Sequence, residues 1–241
     1  MIKSVIFVEG QTELIVTREF LLKFFEYAEI EIECYKLIVD NNAKKVSFDY
    51  LNPSAKFHFQ IINVGNDKSV LSAIFRREKH LLKNNYTKII GLRDMYSKEY
   101  NEFANEIKTE IISKFITNTN EQIVNFESDI DIRFHYAIME IEAWFLAISQ
   151  LFQRYDSRLS NEHIYNRLAL NLFACNPETD LFHPSKQVEK ILNLIGVKYD
   201  KSKSIVEAIV GAITKDDIKE LLESNKCKSF RDYWQDVISA N

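Results

Sequence analysis

Three groups of acidic residues stand where apolar sequence gives way to polar sequence. Glu9 and Glu13 follow the apolar run 5–8, Asp94 follows the run 89–92, and Glu140 with Glu142 follows an alternating segment that begins at Ile130. Glu9 and Glu13 are four residues apart, so a helix beginning within the intervening turn brings both carboxylates toward one point. Gly10 permits the tight turn between them. Carboxylates gathered in a partly dry crevice repel one another, and a hard divalent cation such as magnesium offsets that cost through oxygen ligation. Each residue alone has a plainer reading: Glu13 as a solvated helix start, Asp94 as a cap or turn residue. Glu140 and Glu142 alone read as the exposed side of a helix whose apolar stripe is Ile141, Phe145, Ile148 and Phe152. The coincidence of all three groups at equivalent positions carries the metal reading.

The elements that must position these groups alternate through the first half of the chain. The run 5–8 is continuous and apolar, as expected of a strand covered on both faces, and an amphipathic helix is expected over 12–27. Strands are expected over 32–38 and 57–64, separated by a polar excursion or hairpin over 40–56. Asp67 is placed to cap a helix carrying Val70, Leu71, Ile74 and Leu81, and a short buried strand follows at 89–92. A helix over 99–116 precedes the segment in which Ile130, Ile132, Phe134, Tyr136 and Ile138 alternate with polar residues, the period of two of a half-buried strand. Residues 140–152 read as helical. Glu140 and Glu142 share a face if the strand continues through them and diverge if the helix has begun. Every later signal is helical: 164–172, 186–195, 205–213, 216–222 and 230–238. The predicted fold is α/β, a mostly parallel sheet flanked by helices over 1–155 with a helical region packed on it over 156–241. Such sheets place ligand sites beyond the carboxyl ends of their strands, where the acidic groups stand.

Composition narrows the function classes. With 241 residues of which 46% are hydrophobic, the chain can bury a core without disulfide staples. Cys34, Cys175 and Cys227 are odd in number and widely spaced, which suits thiols of a reducing compartment rather than a zinc or redox motif. The run 5–8 meets Glu9 before a signal or membrane-spanning segment could form, so a cytoplasmic location with no membrane partner is expected. A net charge of −4 argues against coating nucleic acid by bulk electrostatics. Local basic runs at Arg76, Arg77, Lys79, His80 and Lys83, and at Lys186, Lys190, Lys198, Lys201 and Lys203, leave room for a groove; as plain features they are solvated helix faces.

The run Val5-Ile6-Phe7-Val8-Glu9-Gly10-Gln11-Thr12-Glu13 resembles the first motif of topoisomerase-primase (TOPRIM) domains, in particular the branch around the overcoming-lysogenization-defect (OLD) nucleases. Ile90-Gly91-Leu92-Arg93-Asp94-Met95-Tyr96 resembles the second motif, where an Asp-x-Asp pair normally follows a strand. Met139-Glu140-Ile141-Glu142-Ala143-Trp144 is similar to a later acidic motif of small stand-alone members, and His183-Pro184-Ser185-Lys186 also looks like those relatives. The resemblance implies a TOPRIM (Rossmann-like) fold and phosphodiester hydrolysis of DNA or RNA with Mg²⁺ or Mn²⁺. Glu9, Glu13, Asp94 and Glu142 would be the metal ligands. Glu142, with Glu140 as alternate, would complete a second metal shell or accept the water proton, and Lys186, or else Arg93, would neutralise the transition state. It further implies an effector subunit of a prokaryotic anti-phage defence system working with an ABC-type ATPase partner, since this chain carries no Gly-x-x-x-x-Gly-Lys phosphate loop, and allows a homodimer.

One departure bears on the mechanism. Tyr96 replaces the second acid of the Asp-x-Asp pair and removes a charge and a ligand, which opens the alternative of a degenerate module that binds nucleic acid or a partner protein without cleavage. Tyr96 as a covalent nucleophile lacks an accompanying strand-passage domain. A receiver-like switch needs far less chain, and an aspartyl-nucleophile phosphatase needs Asp-x-Asp where Glu9-Gly10-Gln11 stands.

Overall fold

Strand and helix alternate from the first residues of the computed structural model, which describes residues 1–38, 42–66 and 69–239. β1 (Ile2–Val8) leads through α1 (Gln11–Phe24) to β2 (Ile30–Leu37), the short β3 (Ala43–Lys45), β4 (Phe57–Asn63), α2 (Val70–Lys83) and β5 (Lys88–Asp94). After α3 (Lys98–Phe103) and α4 (Thr109–Phe126), β6 (Asp131–Ala137) completes a sheet of six strands in the order β3-β2-β4-β1-β5-β6. β1 pairs parallel with β4 and β5, β2 pairs parallel with β4, and β3 runs antiparallel to β2. The chain is thus α/β, with a mostly parallel sheet flanked by helices and a helical C-terminal part. That part holds α5 (Glu142–Ala147), α6 (Leu151–Tyr155), α7 (Asn161–Leu168), α8 (Pro177–Asp180), α9 (Pro184–Asn193), α10 (Lys203–Gly211), α11 (Lys215–Glu223) and α12 (Lys228–Ile238). Among the described residues no helix is long and apolar enough to cross a membrane.

Two compact units make up the chain. The first holds Met1–Arg93, Glu110–Tyr136 and the chain from Asp232 onward; the second holds Asp94–Thr109 and Ala137–Arg231. Residue 155 falls inside the second unit, and α12 begins in the second unit and ends in the first.

In the first unit the period of two in β1 sends alternate side chains to opposite faces. Val5 and Phe7 join Ile62, Ile74, Ile89 and Ile132 in one cluster, against which the stacked rings of Phe75 and Phe126 pack with centroids 4.2 Å apart. Ile6 and Val8, pointing the other way, are equally buried, as a sheet covered on both faces requires. Phe20 and Phe24 of α1 meet Trp234 of α12 edge-on at 6.0 and 5.7 Å, and the hydroxyls of Thr17 and Tyr233 share a hydrogen bond of 2.9 Å. Lys88 fastens the end of α12: its buried ammonium donates to the carbonyls of Asp236 and Ser239 and to Ser239 Oγ at 2.8–3.2 Å. Carbonyls at a helix C-terminus lack intrahelical donors and face the negative end of the dipole, so a cation suits them. Lys88→Met is expected to cost about 1.5 kcal/mol, the low end for hydrogen bonds to a charged group because methionine fills the stem's volume. Urea denaturation checks it, and an unchanged midpoint would show that the anchor contributes nothing.

The second unit is built around α5, every residue of which is buried and which packs on α8 and α9. Trp144 Nε1 donates to Ser229 Oγ at 3.1 Å, and the Trp144 ring meets Phe230 edge-on at 5.2 Å. The carboxylate of Glu178 accepts from the Ser229 amide at 3.2 Å and from its hydroxyl, satisfying donors at the start of α12.

Four local expectations need correction. The helix expected over 12–27 stops at Phe24, because Glu26 and Tyr27 take positive φ of 52° and 60°. The helix expected over 99–116 is two helices: Ala104 is extended, and the Tyr100 hydroxyl ties the break by donating to the Glu106 carbonyl at 3.0 Å and accepting from the Lys108 amide at 2.8 Å. The helix expected over 140–152 is likewise broken, with Ile148 extended between α5 and α6. The helix expected over 164–172 runs from Asn161 to Leu168 and ends at Ala169, whose backbone is left-handed. The proposed cap Asp67 and the start of the excursion at Asp40 lie outside the described residues; the excursion does supply a hairpin strand, β3.

Candidate functional site

Within the second unit, the segments leaving β5 and β6 are held side by side. The Met95 amide donates to the Ala137 carbonyl at 2.9 Å and the Tyr96 amide to the Met139 carbonyl at 2.7 Å. Met139 is fully buried and left-handed, φ 61°, a conformation an L-residue adopts at a cost. That residue reverses the chain, so Glu140 belongs to neither strand nor helix. Its carbonyl accepts from the Ala143 amide at 2.9 Å and opens α5, while Asp94 Oδ1 accepts from the Ile141 amide at 2.9 Å. Asp94 is therefore the last residue of β5 and fixes the turn that presents the two glutamates.

The two glutamates have different surroundings. Glu140 reaches the N-terminus of α9, where its oxygens accept from the Ser185 amide at 2.8 Å and the Ser185 hydroxyl at 2.7 Å, a good place for a carboxylate because helix N-termini carry free donors and partial positive charge. Glu142 is completely inaccessible, 0%. Its Oε1 accepts from the Tyr199 hydroxyl at 2.7 Å and pairs with the Lys201 ammonium at 2.9 Å; its Oε2 is buried and has no hydrogen-bond partner among the described residues. Neither glutamate lies on the exposed side of a helix.

Lys201 pairs with Glu142 and lies within the electrostatic reach of two more carboxylates. Burial by itself lowers its pKa, yet the carboxylates of Glu142, Asp94 and Glu140 together hold it above the usual lysine range. The sequence marked Lys201 only as one lysine of a basic run and Ser185 only as a member of the run His183-Pro184-Ser185-Lys186, and gave no sign of Tyr199. A buried carboxylate needs donors, but nothing near Glu142 in sequence says which distant residues supply them.

The remaining candidates in the second unit are placed otherwise. Tyr96 packs edge-on against Phe182 at 5.6 Å and His183 at 4.8 Å. Lys186 is exposed on the first turn of α9. Burial, and then the charge of Lys186, lower the pKa of His183, against an opposing pull from Glu140. Cys175 and Cys227 are kept as thiols, burial pushing Cys175 up to about 11 and Cys227 well above the usual range.

In the first unit, Glu9 follows β1 and is partly buried; Glu13, in the first turn of α1, is buried. Gly10 serves Glu13 by more than its turn: a Cβ there would lie 2.9 Å from Glu13 Oε2, so glycine leaves the space over which that carboxylate folds. β1 and β5 stand in register with Val8 beside Leu92, so the two strands advance together toward their carboxyl ends. Arg93 lies with its guanidinium 5.5 Å from the Tyr136 ring centroid, a cation–π contact.

The donors suit a hard divalent cation in type: carboxylates only, one of them with a buried oxygen that has no hydrogen-bond partner among the described residues. Among the described residues, no group of three or more His, Cys, Asp or Glu side chains is gathered to hold an ion as the side chains stand. Lys201 supplies the positive charge instead. No protein-family model matches the chain, and neither the curated proteins nor the solved structures contain a match to it.

Proposed function

We propose that the protein is a divalent-metal-dependent phosphodiesterase acting on DNA or RNA. The observation that carries the reading is Glu142, fully buried, paired with Lys201 at 2.9 Å and with one oxygen that has no hydrogen-bond partner among the described residues. Cores seldom retain such a carboxylate for stability, since a buried ion pair returns little net free energy. Asp94 and Glu142 are the ligands the second unit offers to Mg²⁺ or Mn²⁺. A bound cation would supply polarisation of a phosphate oxygen and a more acidic water. Tyr199 orients Glu142 by its hydrogen bond, and Glu140 holds the start of α9 beside the turn. Lys201, already among the carboxylates, is better placed than the exposed Lys186 to meet the charge that develops on phosphorus oxygens. The reading extends to an effector of a prokaryotic defence system paired with an ABC-type ATPase.

A second reading, a module that binds nucleic acid or a partner protein without cutting, is favoured by Tyr96, whose ring packs on Phe182 and His183 where the second acid of the motif would stand. One experiment separates the two. Supercoiled plasmid, single-stranded DNA and transfer RNA are incubated with the protein in Mg²⁺, Mn²⁺ or chelator, beside Glu9→Ala and Asp94→Ala. Cleavage that needs metal and falls at least about 100-fold in both variants is expected. Cleavage retained in the variants would assign the activity to a contaminant; no cleavage by folded protein, with a gel shift on the same substrates, would favour the binding module.

A further inference from the structure

The outer face of α2 carries positive charge that nothing balances. Arg76, Lys79 and Lys83, with His80 among them, are exposed and recur at intervals of three and four residues, which puts them on one side of the helix over about 10 Å. None of these four has an ion pair among the described residues. The one acidic residue of α2, Glu78, is buried and accepts from the Ser128 hydroxyl at 2.9 Å, so it does not answer them. Lys3 adds a further ammonium at the end of the row, where it donates to the Asn84 carbonyl at 3.4 Å and stands 5.8 Å from the Tyr86 ring centroid. Asn84 also fixes His80, its amide nitrogen donating to Nε2 at 3.3 Å, which leaves the other ring nitrogen as a donor. Basic side chains in the last turn of a helix offset its dipole. That accounts for His80 and Lys83 but not for Arg76 and Lys79, which lie outside that turn.

Resting on the nucleic-acid part of the reading proposed above and on no metal, we infer that this face of α2 holds the phosphate backbone of a double-stranded nucleic acid. A chain of net charge −4 attracts a polyanion through a local surface rather than through its bulk field. Each lysine or arginine laid against a phosphate releases a condensed counter-ion, a favourable term that needs no contact with a base. The form of the nucleic acid follows from what the face lacks. Single strands are held by aromatic rings on which bases stack, and the one phenyl ring of α2, Phe75, is packed on the core and stacked on Phe126. A membrane surface calls for apolar side chains that insert beside the basic ones, and Leu82, 39% exposed, is the one large apolar residue that α2 exposes. A row of cations without such partners suits phosphates displayed on the outside of a duplex.

The test is binding of the full chain to a short labelled DNA duplex in chelator, followed by fluorescence anisotropy between about 50 and 200 mM salt. The wild type is expected to bind the duplex more tightly than its separated strands. The combined variant Arg76→Gln, Lys79→Gln, Lys83→Gln is expected to bind it at least about tenfold more weakly, with the slope of log affinity against log salt reduced by about 0.9 for each cation removed. Glutamine keeps helix propensity and leaves the buried face of α2 untouched. A control with the same change of charge, Lys36→Gln, Lys44→Gln, Lys98→Gln, all exposed and off α2, keeps the wild-type slope. An equal loss in the control would make the attraction a property of overall charge and overturn the inference. A slope unchanged in the α2 variant would overturn it too, and either result leaves the nucleic-acid reading intact. Tighter binding to the separated strands, or to vesicles containing phosphatidylserine, overturns the choice of a duplex partner. No binding by the wild type also overturns the inference, while the cleavage assay described above, run with metal, decides the nuclease reading separately. If the combined variant is unfolded by circular dichroism, Lys79→Gln alone carries the comparison: a slope lower by about 0.9 supports the inference and an unchanged slope overturns it.

Discussion

Glu142→Gln is expected to reduce metal-dependent cleavage by about 10²- to 10³-fold, the size of effect seen when one charged or polar group of an active site is removed. It should leave the metal-free protein as stable as the wild type to within about 1 kcal/mol, or more stable. The two halves of this prediction have one physical cause. Glutamine has the shape of glutamate and can still accept from the Tyr199 hydroxyl through its carbonyl oxygen, so packing around α5 is preserved. What disappears is a buried charge with an unserved oxygen, and the Lys201 ammonium left behind can hydrate because its side chain is already 40% exposed. Initial cleavage rates and urea denaturation in chelator, measured on the same preparations, check the pair. A variant that loses its fold along with its activity would recast Glu142 as a structural residue. A variant that keeps full activity would remove it from the site.

Gly91→Val is expected to destabilise the first unit by about 3 kcal/mol, the upper part of the range for overpacking a filled core. Gly91 lies in the middle of β5, opposite Phe7 of β1. A Cβ at this position would lie 2.5 and 2.8 Å from two ring carbons of Phe134 and 3.0 Å from Ile74 Cδ1, so even alanine cannot enter without displacing the ring. Glycine is needed here for space, since its backbone does not take positive φ. Differential scanning calorimetry should show a fall in Tm of roughly 10 °C, given a few degrees per kcal/mol for a chain of this size. The double change Gly91→Ala with Phe134→Leu should cost less than the sum of the two single changes, because each relieves the other. Strict additivity would mean that the ring is not what excludes the side chain.

Much of the sheet was legible from local pattern. The continuous apolar run at Val5 to Val8, the alternation from Ile130 to Ile138 and the apolar stripe of the second helix correspond to β1, β6 and α2, since burial on two faces, one face or one stripe writes itself into neighbouring residues. Helix breaks were not legible. Ala104 and Ile148 are ordinary helix formers by type, and the interruptions there depend on contacts such as the Tyr100 hydroxyl tie, which no propensity encodes.

The site divides along the same line. Its acidic residues stood out because carboxylates following apolar runs are conspicuous in a sequence with little other punctuation. The partition of Glu140 and Glu142 did not, because it turns on the left-handed backbone of Met139 and on a helix N-terminus at Ser185. By itself the sequence determined that strands and helices alternate and that carboxylates stand where the strands end, both consequences of hydrophobic period read over a few residues. Only the tertiary structure decided that Glu142 is sealed from water and answered by Tyr199, 57 residues away, and by Lys201. Charge pairing in a protein interior is set by which chains meet in space, and a lysine bears no local mark of the carboxylate it will neutralise.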